Sequence, residues 1–101
     1  MPPPFQTWDE WLHWFLCELY KALGGDCADL TGTSPDRIKK VAQQYKDKGP
    51  PSFSTPAEKA DFLKLLDNLE DHLDKPENTL DPQDDADLRQ LIADLRKDVG
   101  P

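Results

Sequence analysis

The sequence halts and restarts a helix three times with the same device. "SPDR" at Ser34, "TPAE" at Thr55 and "DPQD" at Asp81 each place a capping residue before a proline. Proline costs nothing at the first helical position, where its missing N–H would have no intrahelical acceptor, and its fixed φ suits the turn. The Ser, Thr or Asp before it accepts from an N–H about one turn on. Glu58 follows Thr55 by three residues, as Glu10 follows Thr7, which is the spacing of a capping box. Four helix starts are thus signalled.

An apolar period near 3.6 follows each start, and no alternating run of useful length marks a strand. The pattern predicts helices at about 8–23, 35–46, 56–73 and 82–99. The first closes at Gly24-Gly25. The second carries Ile38, Val41, Ala42 and Tyr45, the third Phe62, Leu65, Leu66, Leu69 and Leu73, and the fourth Leu88, Leu91, Ile92, Leu95 and Val99. The segment "ADFLKLLDNLEDHL" from Ala60 matches "ADLRQLIADLRKDV" from Ala86, and we read the two as similar amphipathic helices forming a hairpin. A helical turn is expected near Ala28 to Leu30, and Phe53 is expected to tuck into the core. The expected fold is all-α: one compact four-helix domain over residues 1–101 with Pro/Gly-rich connections and a flexible Pro-rich stretch at 1–6.

Charge narrows the partners. With 20 acids against 12 bases the net charge is -8, the wrong sign for a phosphate-neutralising nucleic-acid surface or an anionic membrane. No run of 18 apolar residues marks a membrane-crossing helix, and "MPPPF" has neither the basic nor the apolar region of a secretory signal, so a cytoplasmic location is expected. Cys17 and Cys27 are too few for a disulfide scaffold and are expected as free thiols in a reducing compartment.

Stepping about 100° per residue around the first helix puts Trp8, Trp11, Leu12, Phe15, Leu16, Leu19, Ala22 and Leu23 on one broad apolar side. Trp14 falls off it, among Glu10, Cys17, Glu18 and Lys21, with His13 and Tyr20 nearby. Two expectations compete for Trp14. One covers it with a loop or the Pro-rich N-terminus. The other makes Trp14, His13 and Tyr20 the nucleus of a protein-binding patch or a homodimer seam, since tryptophan is enriched at interface hot spots.

The acids are unevenly placed. Residues 1–53 hold 7 acids and 6 bases, residues 54–101 hold 13 acids and 6 bases. Asp67, Glu70, Asp71 and Asp74 share one face of the third helix, opposite its leucines. Such a face is ordinarily solvated, and it can also dock a basic partner, raising the association rate more than the affinity.

Chemistry is sparse. The chain has no Gly-rich phosphate loop, no G-x-S-x-G, no H-E-x-x-H and no C-x-x-C. His13 and Cys17 are one turn apart, but two ligands make no metal site. "DKPENTLDPQDD" has acids without the EF-hand order or its central glycine, and His72 is expected as a solvated histidine beside an acidic face. Ser34-Pro35 and Thr55-Pro56 have the form of proline-directed phosphorylation sites, but capping accounts for both residues. No enzyme, metal or cofactor is expected. The expected function is a protein-interaction module or adaptor that uses the aromatic patch, the acidic face, or both. The alternative is a small acidic inhibitor, of nucleic-acid-mimic or viral anti-defence type, that blocks a basic site on a larger effector. A self-assembling structural subunit comes third.

Overall fold

The computed structural model describes residues 7–100. Four helices follow the four signals: α1 Trp8–Ala22, α2 Ser34–Lys48, α3 Pro56–Leu73 and α4 Pro82–Val99, with a single 3₁₀ turn at Cys27–Asp29. No strand occurs among the described residues. The expected Pro-rich stretch at 1–6 lies outside them.

The caps hold with two adjustments. Thr7, Thr55 and Asp81 accept from the N–H groups of Glu10, Glu58 and Asp84. At α2, however, Thr33 rather than Ser34 is the cap, because Asp36 completes a reciprocal box with it. Ser34 becomes the first helical residue, and its hydroxyl is released for a tertiary bond. At α3 the Glu58 carboxylate reaches the N–H of Ser54 at 3.2 Å instead of that of its own cap. Helix α2 also runs one half-turn past its expected end, to Lys48, and is capped by Gly49, whose φ of 79° is one a side chain rarely adopts.

The helices form a ring in which α1 packs on α2 and α3, and α4 on α2 and α3. Specific pairings give their directions. Trp8 at the start of α1 meets His72 at the end of α3, so these two run antiparallel. Arg89 binds Asp74 and Arg96 binds Asp67, which makes α3 and α4 the expected antiparallel hairpin. His13 meets Ser34, and the Leu23 carbonyl meets Gln44, so α1 and α2 run parallel. A parallel pair needs a return segment, and residues 24–33 supply it.

That segment overturns an expectation. Cys17 and Cys27 are not free thiols: they form a disulfide, with Cα atoms 5.4 Å apart. Ten residues of separation hid the proximity, because the chain turns at Gly24 and runs back along α1 until Cys27 lies level with Cys17. Below it Leu30 enters the core, and the Arg37 guanidinium donates to the carbonyls of Leu30 and Gly32. The expected turn near Ala28 is the 3₁₀ turn, started by Asp26, whose carboxylate accepts from the Ala28 N–H.

One core joins all four helices. Leu12, Leu16 and Leu19 of α1, Val41 of α2, Leu66 and Leu69 of α3, and Leu88, Ile92 and Leu95 of α4 are fully enclosed. Each such side chain contributes about 1.5–3 kcal/mol relative to exposure. The radius of gyration, 12.9 Å, is that of a compact chain this long.

A candidate docking groove between the first and third helices

Trp14 is half-buried, neither sealed in the core nor free in solvent. Its indole sits edge-on to Trp11 and Phe15, at centroid separations of 6.5 and 5.2 Å. It lines two depressions on the α1/α3 face. The larger, about 500 Å³, has walls of Trp14, Ala22, Phe53, Phe62 and Leu65, with Glu18, Glu58 and Asp61 at its margin. The smaller, about 350 Å³, lies toward the other end, between Trp11, Phe15 and Trp14 of α1 and Asn68, Asp71, His72 and Lys75. Trp14 is therefore the step between two parts of one furrow.

Local sequence explains each wall. On α3, Phe62, Leu66 and Leu69 point inward and are buried, whereas Leu65 lies at the edge of that stripe and is only half-covered. Phe53 packs with its ring tilted against Phe62, centroids 5.4 Å apart, so the α2–α3 connection closes the larger depression at one end. The expectation that Phe53 tucks into the core is met only by half, since its outer edge remains accessible.

The other members of the expected patch do not join Trp14. Tyr20 is buried, and a Cβ built at Gly25 would lie 2.4 Å from its ring, so the return segment covers it. His13 faces α2, where its Nε2 lies 2.8 Å from the Ser34 hydroxyl. Burial, then the nearby Arg37 charge, lowers the His13 pKa from its ordinary value. The two residues fall on other sides because α1 is covered by α2 and the return segment there, whereas among the described residues the α3 side leaves the Trp14 edge half-covered.

The four acids of α3 also part company. Asp67 and Glu70 both bind Arg96, and Asp74 binds Arg89 at 2.9 Å, so these three serve the α3/α4 seam. Asp71 remains exposed at the smaller depression. Phe53, Glu18, Glu58, Asp61 and Leu65 line the furrow but were not among the expected partner-binding residues. The signal for the last was its place at the margin of the leucine stripe; nothing in the pattern paired α1 with α3.

His72 is a correction as well: it is 3% exposed, not solvated. The α1 start covers it with Trp8, whose ring stacks on the imidazole at 4.6 Å. Burial is the main influence on it and lowers its pKa. The Cys17 sulfur, one turn from His13 and set aside above as a metal ligand, is consumed by the disulfide. Among the described residues no group of three or more His, Cys, Asp or Glu side chains has metal-holding geometry, and no helix is long and apolar enough to cross a membrane.

The fold and furrow thus define a small all-α four-helix domain with an aromatic furrow on its α1/α3 face among the described residues. Compared with protein-family models, with curated proteins and with solved structures, the chain matches none.

Proposed function

We propose that this chain is a non-enzymatic protein-interaction module whose recognition surface is the α1/α3 furrow centred on Trp14. The observation that supports this most directly is the pairing of apolar walls with a carboxylate margin at the larger depression. Desolvated aromatic walls supply affinity, and a charged rim supplies orientation and association rate. The partner is a protein with a basic surface; nucleic acid and membrane are not its targets, given the charge of -8. The disulfide favours a setting in which thiols stay oxidised over the reducing cytoplasm expected from composition.

The test is capture of partners from the native extract at low and at high salt, with Trp14→Ala run beside the wild type. A partner that survives salt and is lost with Trp14→Ala supports the module. A partner lost in salt but indifferent to Trp14→Ala assigns the work to the acidic half of the chain, as in an inhibitor that occupies a basic site. Self-association of the pure protein at micromolar concentration, abolished by Trp14→Ala, makes the furrow a homodimer seam instead.

A further inference from the structure

The charges of α3 are sorted by side. Toward α4, Asp67, Glu70 and Asp74 are matched by Arg96 and Arg89. Toward the furrow, Glu58, Asp61 and Asp71 line the depressions, with Glu18 across from them on α1. Two of these four acids have a nearby partner: Glu58 accepts from the Ser54 N–H, and Glu18 holds Lys21 at 3.0 Å. That second pair is a partly exposed i,i+3 ion pair and contributes little, so it is readily exchanged. Lys75, at the far end, is the one Lys or Arg lining either depression.

Shape adds a second constraint. The furrow runs from Trp11 to Ala22 along α1, about 16 Å at about 1.5 Å per residue. Its walls are two antiparallel helices, and a surface of that kind takes a third helix, with anchors at i, i+3, i+4 and i+7. An extended strand finds no sheet edge among the described residues.

We propose that the occupant is a basic amphipathic helical segment of a partner protein, about three turns long. Its apolar stripe enters beside Trp14 and Leu65, and its Lys or Arg residues lie against Glu18, Glu58 and Asp61. This rests on the reading of the furrow as a protein-binding surface, and it specifies the chemistry that surface selects.

A fluorescently labelled peptide of about twelve residues, long enough to span the furrow at about 1.5 Å per residue, serves as the probe. It carries leucine at i, i+3, i+4 and i+7 and lysine elsewhere, and its counterpart carries glutamate in place of lysine. Anisotropy is expected to show binding of the lysine peptide, with the glutamate peptide about tenfold weaker or more. Asp61→Lys is expected to weaken binding about tenfold, and Trp14→Ala by at least as much. Asp87→Lys changes the net charge equally but lies on α4, in the depression shared with α2, and is expected to stay within about threefold of wild type. Asp61 is exposed, so its variant keeps the test valid even where Trp14→Ala melts early.

Three results overturn the proposal: no binding of the lysine peptide, equal binding of both peptides, or equal losses from Asp61→Lys and Asp87→Lys. The last would mean attraction to overall charge rather than to this furrow. A captured native partner that depends on Trp14 but is not displaced by the lysine peptide would leave the binding module standing and refute only the basic helical occupant.

Discussion

Trp8 and His72, 64 residues apart, close a reciprocal clasp between the start of α1 and the end of α3. The indole N–H donates to the His72 carbonyl at 2.8 Å, and the imidazole Nε2 donates back to the Trp8 carbonyl at 2.9 Å. The rings lie 5° from parallel. The clasp sets the antiparallel register of the two helices that form the furrow, and so it positions Trp14 against Leu65.

His72→Ala should lower unfolding free energy by about 2–4 kcal/mol, because it opens a cavity under Trp8 and removes a buried bond. His72→Phe keeps a ring for the stack and should recover part of this. Denaturant midpoints of the three proteins check the order. A loss below about 0.5 kcal/mol for His72→Ala would show that the clasp does not hold the register.

Stability should also fall on mild acidification. His72 and His13 both have folded-state pKa values lowered from 6.5, chiefly by burial. Above 6.5 both states are neutral and the stability is fully present. As pH drops through 6.5 the unfolded chain binds protons that the folded chain refuses, and stability is lost until the folded values are passed. Urea midpoints between about pH 8 and about pH 5 should decline in wild type and decline less steeply in His72→Phe, which keeps the His13 share. A flat wild-type profile would refute the assignment.

Replacing Cys17 and Cys27 by serine, or reducing them, should cost about 2–3 kcal/mol, the loop-closure contribution expected for a ring of this size. That corresponds to a melting temperature lower by roughly 10 °C or more. Calorimetry with and without a phosphine reductant measures it, and only the wild type should respond.

Gly25 has no room for a methyl group. A Cβ there would fall 2.4–2.6 Å from three ring atoms of Tyr20, which is itself buried and unable to swing away alone. Gly25→Ala should therefore destabilise by about 1–3 kcal/mol. Tyr20→Leu in the same chain should relieve part of that loss; additive losses would show that the two residues do not compete for space.

Reversing single acids on α3 should separate structure from surface. Glu70→Lys sets a cation against the half-buried Arg96 and should cost about 1 kcal/mol. Asp71→Lys, exposed beside the smaller depression, should leave stability within about 0.5 kcal/mol while weakening a basic partner. Thermal melts and binding of the lysine peptide read the two effects independently.

The sequence by itself determined the helices, their number and their starts, since capping and proline are local chemistry: Thr55 with Pro56 begins α3 whatever surrounds it. It determined the core stripes too, because Leu12, Leu16 and Leu19, or Leu88, Ile92 and Leu95, recur at the helical period. Where two local signals competed, as at Thr33 and Ser34, it was off by a residue. Tertiary structure alone decided everything that depends on which helix lies beside which. It brought Cys27 to Cys17 through a return segment, buried His72 under Trp8, hid Tyr20 beneath Gly25, and turned three of four acids toward arginines of α4. Those relations join residues tens of positions apart, or reverse the chain between near ones, and the period of a single helix carries no information about its neighbour. The open edge at Trp14 exists for the same reason: among the described residues, α2, α3 and the return segment cover the rest of α1 and leave that side uncovered.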